Sequence, residues 1–498
     1  MEKLPLTRAN LGRLGPGIAR PAYDPAQVVP GIVHLGLGGF HRAHMARFTH
    51  DLMTKDLLEG GGAALGWGIV GAGLLPADRR MYDALAPQDG LYTLVERSGT
   101  AESVTVIGAI PEVIHAADSS AALLAAIDRP EIRIVSLTVT ENGYCLNPAT
   151  KELDPDHPRI AADLADPAQP HSAVGIITEA YRRRMAAGRP AFTAMTCDNI
   201  QHNGNVLRAA VLDFAGRCDP ALARWIEAHA RFPNTMVDRI TPVTAPEDTA
   251  ALAERYGIRD NWPVFSETFT QWVIEDDFAA GRPDWDRVGA QFVTDVAPYE
   301  FMKLRLLNAS HLAVAGLGRL AGYGYIDETM RDARLRRYME ALMDRETGPT
   351  LPPVPGIDLT QYKATLVERF ANPTIKDTVE RVNTDAPLNV LVDPIRDRVK
   401  TGGSVELLAL ALAAWLRRMR GEDEQGQPIE IRHPLADLLR AKAIEGGADP
   451  RPMLGIERLF GELGRNDTFI ATVGKWLASL YAVGAAKTLE RAERELGF

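Results

Sequence analysis

Apolar and polar positions divide the chain into two kinds of pattern. From Gly31 to Leu37 the residues Gly-Ile-Val-His-Leu-Gly-Leu read as a short buried strand, and Phe40 to Leu58 then carries apolar residues at helical spacing. Further strands are predicted at Trp67 to Leu75, Tyr92 to Val95, Val104 to Ile107, Ile132 to Thr140 and Ala191 to Thr196. Helices are predicted at Ala121 to Ile127 and Ile176 to Ala187. Strands alternating with helices imply an α/β domain built on a mostly parallel, doubly wound sheet. After about Asp295 the pattern is helical: Pro298 to Leu317, Met330 to Met343, Tyr362 to Phe370, Ser404 to Met419, Pro434 to Lys442 and Asp467 to Leu480, with Gly or Pro breaks between. Residues 1–30 hold Pro5, Pro16, Pro21, Pro25 and Pro30, which suits an extended arm. The expected organisation is an arm over 1–30, an α/β domain over 31–294 and an α-helical domain over 295–498.

Composition narrows the function class. The 498 residues are 46% hydrophobic and 24% charged, ordinary values for folded domains. Lys plus Arg is 55 against Asp plus Glu 65, a net charge of −10 that offers no bulk footprint for nucleic acid or anionic lipid. The three cysteines, Cys145, Cys197 and Cys218, form no C-x-x-C pair, so a disulfide framework and a thiolate zinc site lack support. The amino terminus lacks a secretory-signal layout, and the apolar run Leu407 to Leu416 is short of the ~20 residues that cross a bilayer. A cytoplasmic protein acting on a small molecule is expected.

The predicted strand hands over to its helix through Gly36-Leu37-Gly38-Gly39-Phe40-His41-Arg42. Glycines there permit a tight turn and let backbone N–H groups approach a pyrophosphate, although His41 stands where a third glycine would, and a plain tight turn fits the spacing equally. Gly36, Gly38, Gly39, Phe40, His41 and Arg42 form the candidate dinucleotide-binding set. Asp78, past the second strand, is the candidate for the adenosine ribose hydroxyls and so for NAD; the alternative is a helix N-cap. Arg79 and Arg80 beside it could instead receive the 2′-phosphate of NADP.

At about 100° per residue, Glu300, Lys303, Asn308 and His311 fall within an arc of about 140° on the predicted helix. A desolvated lysine has a lowered pKa and can take a proton from an alcohol, and an amide N–H beside it can stabilise the resulting oxyanion. Asn308 and Asn199 are the candidate donors. A solvated polar stripe would show the same spacing. Tyr299-x-x-x-Lys303 has the spacing of short-chain dehydrogenases, but their glycine turn is absent. His41 and His44 lack a third metal ligand nearby, so metal-independent chemistry is expected.

Six blocks together resemble the polyol-specific long-chain dehydrogenases, the mannitol 2-dehydrogenase family. They are Gly36-Leu-Gly-Gly-Phe-His-Arg-Ala-His44, Thr138-Val-Thr-Glu-Asn-Gly-Tyr144, Cys197-Asp-Asn-Ile-Gln-His-Asn-Gly204, Val237-Asp-Arg-Ile-Thr-Pro242, Lys303-Leu-Arg-Leu-Leu-Asn-Ala-Ser-His311 and Arg369-Phe-Ala-Asn-Pro-Thr-Ile-Lys-Asp-Thr-Val-Glu-Arg381. The resemblance spans nearly the whole chain. It implies a Rossmann-type domain followed by a helical one that closes the cleft, and NAD(P)-dependent, metal-free interconversion of a polyol and its ketose, with NAD expected and NADP not excluded. It further implies Lys303 as general base, Asn199 and Asn308 as the pair polarising the reacting oxygen, and Glu141 and Glu300 in proton passage to solvent. Asp238, His311 and Arg381 match positions that hold substrate hydroxyls. Asp198 and His202 receive no role beyond a turn. Asn389 stands where the family commonly has a lysine, which weakens the case for mannitol itself and, against a uronate, tilts the reading toward an uncharged, mannitol-like polyol such as mannitol, arabinitol or sorbitol. A uronate (fructuronate or tagaturonate) reductase and a non-catalytic dinucleotide-binding regulator are the alternatives. The family resemblance leans toward a monomer.

Overall fold

The structure, a computed structural model, describes residues 3–99, 101–148 and 150–498. The chain divides into two compact units, Met1–Val296 and Ala297–Phe498.

The first unit is built on five parallel strands: β1 (Pro30–Leu35), β2 (Gly68–Gly73), β3 (Glu112–His115), β4 (Ile134–Leu137) and β5 (Thr193–Thr196). Their spatial order is β3-β2-β1-β4-β5, so the order reverses beside β1. Both faces are covered, which is why the strands read as unbroken apolar runs. Alternation sends Val33, Leu35, Val70, Ala72, Val135 and Leu137 into one core with helices Ala121–Ile127, Ala173–Ala186 and Asn203–Cys218. Ile32, Ile69, Ile134 and Met195 face the opposite core, with helix Met45–Leu58 and the buried Trp272 and Trp285.

Three expectations are corrected in this unit. Strands Tyr92–Ser98 and Ala101–Ile107 lie outside the doubly wound sheet; they pair antiparallel with each other, and Val264–Glu267 adds in parallel. Only two residues separate them in sequence, too few for a parallel crossover. The helix expected over 40–58 is two helices, Gly39–Ala43 and Met45–Leu58, parted by the non-helical His44 (φ −116, ψ −94). The amino-terminal segment is also no free arm. Leu4–Pro5 pairs with Ile258–Arg259, Arg8–Arg13 forms a 3-10 helix, and Leu6, Leu14 and Ile18 are buried against Leu91, Val95 and Phe265. Proline blocks a long helix there, but the apolar residues between the prolines still bury.

The second unit packs helix Ala309–Leu320 against the almost wholly buried Glu406–Arg418 and the 30-residue Asp467–Leu496. Asp467–Leu496 has the length and apolar character of a bilayer span, which the sequence reading did not expect. Gly484 (φ 79, ψ 172) kinks it, and Phe469, Val473, Trp476 and Leu480 face the core of this unit. Helices Val379–Asp385 and Asn389–Lys400 escaped the periodicity reading.

Candidate functional site

A cleft of about 670 Å³ opens at the carboxyl ends of β1, β2 and β4 in the first unit, at the point where strand order reverses. Gly36 sits at its base with φ +97, and a Cβ there would lie 2.0 Å from the carbonyl oxygen of Thr138. Only glycine permits both the dihedral and that approach. The contact is fastened by Gly36 N–H donating to Ala72 O at 2.8 Å and Thr138 Oγ1 donating to Gly36 O at 2.8 Å. A Cβ on Gly38 would meet nothing within 4 Å, so Gly38 presents bare backbone to the opening. The cleft fits a dinucleotide: its floor is peptide backbone that a side chain at Gly38 would fill.

Gly36, Gly38, Gly39, Phe40 and Asp78 line the cleft. The Asp78 carboxylate accepts N–H bonds from Leu74 and Leu75, both at 2.9 Å. It thus braces the end of β2 and makes no side-chain cap on helix Arg79–Leu85. Arg79 turns to Asp83 at 2.8 Å, whereas Arg80 packs over Trp262 at 5.2 Å and both line the cleft wall.

His41 and Arg42 do not line it. The His41 ring is buried and stacked on His34, centroids 3.4 Å apart, and burial holds its pKa well below the ordinary value. Arg42 is fully buried, donating from Nη1 to Trp262 O at 2.6 Å and packing over Tyr92; burial pushes it down to about 10. Both support the turn from inside the core. The spacing that nominates them places them in the turn but does not choose their direction.

Two loops follow β4 and β5. Thr140 lines the cleft in a conformation of φ 62 and ψ 168, a region that side-chain-bearing residues rarely enter. Glu141 next to it is exposed and pairs with Lys151 at 3.4 Å. Asn199 is exposed, while Asp198 before it is buried. Asp238 ends the buried strand Thr235–Asp238, held antiparallel to Gln271–Glu275.

In the second unit, Glu300 lies in helix Ala297–Met302 and Lys303 opens a π-helical turn, Lys303–Asn308, that runs into Ala309–Leu320. Ala309 N–H donates to Leu304 O, five residues back. The extra residue in this turn changes the angle between Lys303 and Asn308, so the arc drawn at α-helical spacing does not describe their face; such turns concentrate at functional sites. Glu300, Lys303 and His311 are buried and Asn308 is half-buried. His311 Nε2 lies 3.4 Å from Asp377 Oδ2 and its ring stacks on Phe370. Arg381 grips the same Asp377 carboxylate through Nε and Nη2, both at 2.6 Å. Burial would raise the Asp377 carboxyl, but its bonds to His311 and Arg381 prevail and hold it at about 2. Asp377 received no role from the sequence, although its place four residues before Arg381 was a usable signal for an ion pair. Asn389 is exposed at the start of helix Asn389–Lys400. Among the described residues, no group of three or more His, Cys, Asp or Glu is arranged to hold a metal ion.

The family model described as the mannitol dehydrogenase Rossmann domain matches residues 30–287, and that of the mannitol dehydrogenase C-terminal domain matches 295–481. A mannitol 2-dehydrogenase of Phaeosphaeria nodorum is 42% identical over 493 residues, 98% of this chain and 85% of that protein. A D-mannonate oxidoreductase of Escherichia coli is 43% identical over 464 residues, 92% of this chain and 94% of that protein. The solved ternary complex of Pseudomonas fluorescens mannitol 2-dehydrogenase with NAD and D-mannitol matches with a TM-score of 0.86 at 43% identity, covering 99% of this chain and 100% of that one.

Proposed function

Because the chain belongs to the mannitol dehydrogenase family, we propose that it is an NAD-dependent oxidoreductase interconverting a polyol and its ketose without a metal. The observation that carries this reading is the match over both units to an enzyme solved with NAD and D-mannitol, together with a backbone-floored cleft suited to a dinucleotide.

Gly36, Gly38, Gly39 and Phe40 would hold the pyrophosphate by backbone contact, and Asp78 the adenosine ribose. When bound, the nicotinamide supplies hydride transfer to and from the carbinol carbon. Lys303, buried in its helix, takes the hydroxyl proton during oxidation and returns it during reduction. Asn308 and Asn199 donate N–H bonds to the oxygen as charge develops on it. Glu141, exposed, and Glu300, buried, pass the proton between Lys303 and solvent. Asp238, His311 and Arg381 hold the remaining hydroxyls, and Asp377 fixes the latter two in orientation. The chain acts as a cytoplasmic monomer, which sedimentation of the purified protein and fractionation of cells would check.

The test is turnover by the purified protein on a panel of four- to six-carbon polyols with NAD and NADP, followed by reduced-nicotinamide absorbance. Oxidation of at least one hexitol or pentitol with NAD is expected; binding of NADH without turnover of any polyol or uronate would instead make it a non-catalytic dinucleotide-binding protein. The Escherichia coli relative favours a second reading, a uronate reductase. Faster turnover of fructuronate than of fructose would establish it.

A further inference from the structure

A turn-forming aspartate bonds to its own neighbours. Asp198 bonds well beyond them. Its buried carboxylate reaches a loop more than fifty residues earlier: Oδ1 accepts from Thr140 N–H at 2.8 Å, and Oδ2 accepts from Val139 N–H at 3.1 Å and from Tyr144 O–H at 2.9 Å. Its main chain is fixed as well, since its N–H donates to Thr196 Oγ1 at 3.1 Å and its carbonyl accepts from Asn203 Nδ2 at 3.0 Å. Thr196 Oγ1 also lies 2.5 Å from Tyr144 Oη. One carboxylate therefore ties the loop after β4 to the loop after β5.

The segment it grips is the one whose backbone needs holding. Thr140 has φ 62 and ψ 168, territory that glycine enters freely and a β-branched residue does not. Thr140 lines the cleft, and Glu141 follows it directly. Asn199 follows Asp198 directly. Burial raises the Asp198 carboxyl, and the bonds from Tyr144, Thr140 and Val139 oppose that rise.

We propose that Asp198 is a positioning residue for the reaction: it holds Thr140 in its strained conformation and so fixes the mutual placement of Glu141 and Asn199. This rests on the oxidoreductase reading for its kinetic consequence, but its structural half stands apart from it. Turning one carboxylate oxygen into an amide NH2 sets a donor against one of the two backbone N–H groups and lets Thr140 relax toward an ordinary conformation, carrying Glu141 with it. Glycine at position 140 has no such tendency.

The test is a double-mutant cycle of Asp198→Asn with Thr140→Gly, read in two ways. In the ligand-free chain, Asp198→Asn should speed amide hydrogen exchange at Val139 and Thr140 at least tenfold while β1 and β4 stay unchanged. In the NAD-loaded enzyme, Asp198→Asn should lower kcat at least 30-fold in the Thr140 parent, with KM for the polyol within threefold, yet less than fivefold in the Thr140→Gly background. A purely structural role predicts equal losses in both backgrounds, and that result overturns the proposal, as does unchanged exchange at Val139 and Thr140. Should Asp198→Asn fail to fold, Tyr144→Phe, which removes one donor and keeps the carboxylate, takes its place with an expected fivefold loss in kcat that Thr140→Gly abolishes. Absence of coupling there also overturns the proposal. If the parent itself turns over no substrate, the functional reading fails, and the exchange measurement alone decides the role of Asp198.

Discussion

The two units carry their candidate chemistry in different materials. In the first, the cleft is made of backbone: Gly36 at positive φ against Thr138, the bare peptide of Gly38, and the strained Thr140. In the second, it is made of side chains on a helical rod, with Lys303 and His311 buried along it and Asp377 clamping His311 and Arg381. The difference predicts how each breaks. A backbone-built surface fails when a Cβ is added, because atoms must move; a side-chain-built one fails when a functional group is deleted, with the fold left standing.

The largest effect is expected from Lys303→Ala, which removes the proposed base. Turnover should fall on the order of 10³-fold with an unchanged melting transition by circular dichroism; turnover near the parent value would end the assignment. Gly36→Ala comes next and should act in the opposite manner. With an added Cβ 2.0 Å from Thr138 O, stability should drop by about 3 kcal/mol or more, read as a lowered midpoint in urea together with weakened NADH binding. An unaltered midpoint would show that the turn is not a close approach.

Acidification probes the second unit. The Asp377 carboxyl lies at about 2 in the folded chain against an ordinary 3.8, so the unfolded chain binds more protons between those values. Stability from this group is therefore complete above about pH 4 and is lost as pH falls toward 2, by about 2 kcal/mol. Asp377→Asn should erase that component, measured as the pH dependence of the unfolding free energy. Smallest is Asn389→Lys. The position is exposed, so a new charge there should raise the preference for a uronate over a neutral ketose by no more than about fivefold, about 1 kcal/mol, compared as kcat/KM ratios. A loss of both activities would show that Asn389 does more than leave a charge out.

Local pattern was enough for the strand and turn around Gly36, because a buried run followed by glycines constrains its own backbone, but not for the break at His44 that splits the helix after it. It also located the helical half. It could not show that His41 and Arg42 turn into the core, since a turn places a residue without choosing the side on which a ring or guanidinium finds partners. Nor could it show the π turn at Lys303–Asn308, whose i to i+5 bond shifts a face that uniform helical spacing fixes in advance.

By itself, then, the sequence determined an α/β half with a glycine turn, a helical half and, through its ordered blocks, the family. These follow from periodicities and short spacings that are local in the chain. Only the tertiary structure decided which residues of the glycine turn face the cleft and what holds the loops after β4 and β5. The grip of Asp198 on Val139, Thr140 and Tyr144 joins residues 54 to 59 positions apart, and such contacts exist only once β4 and β5 lie side by side.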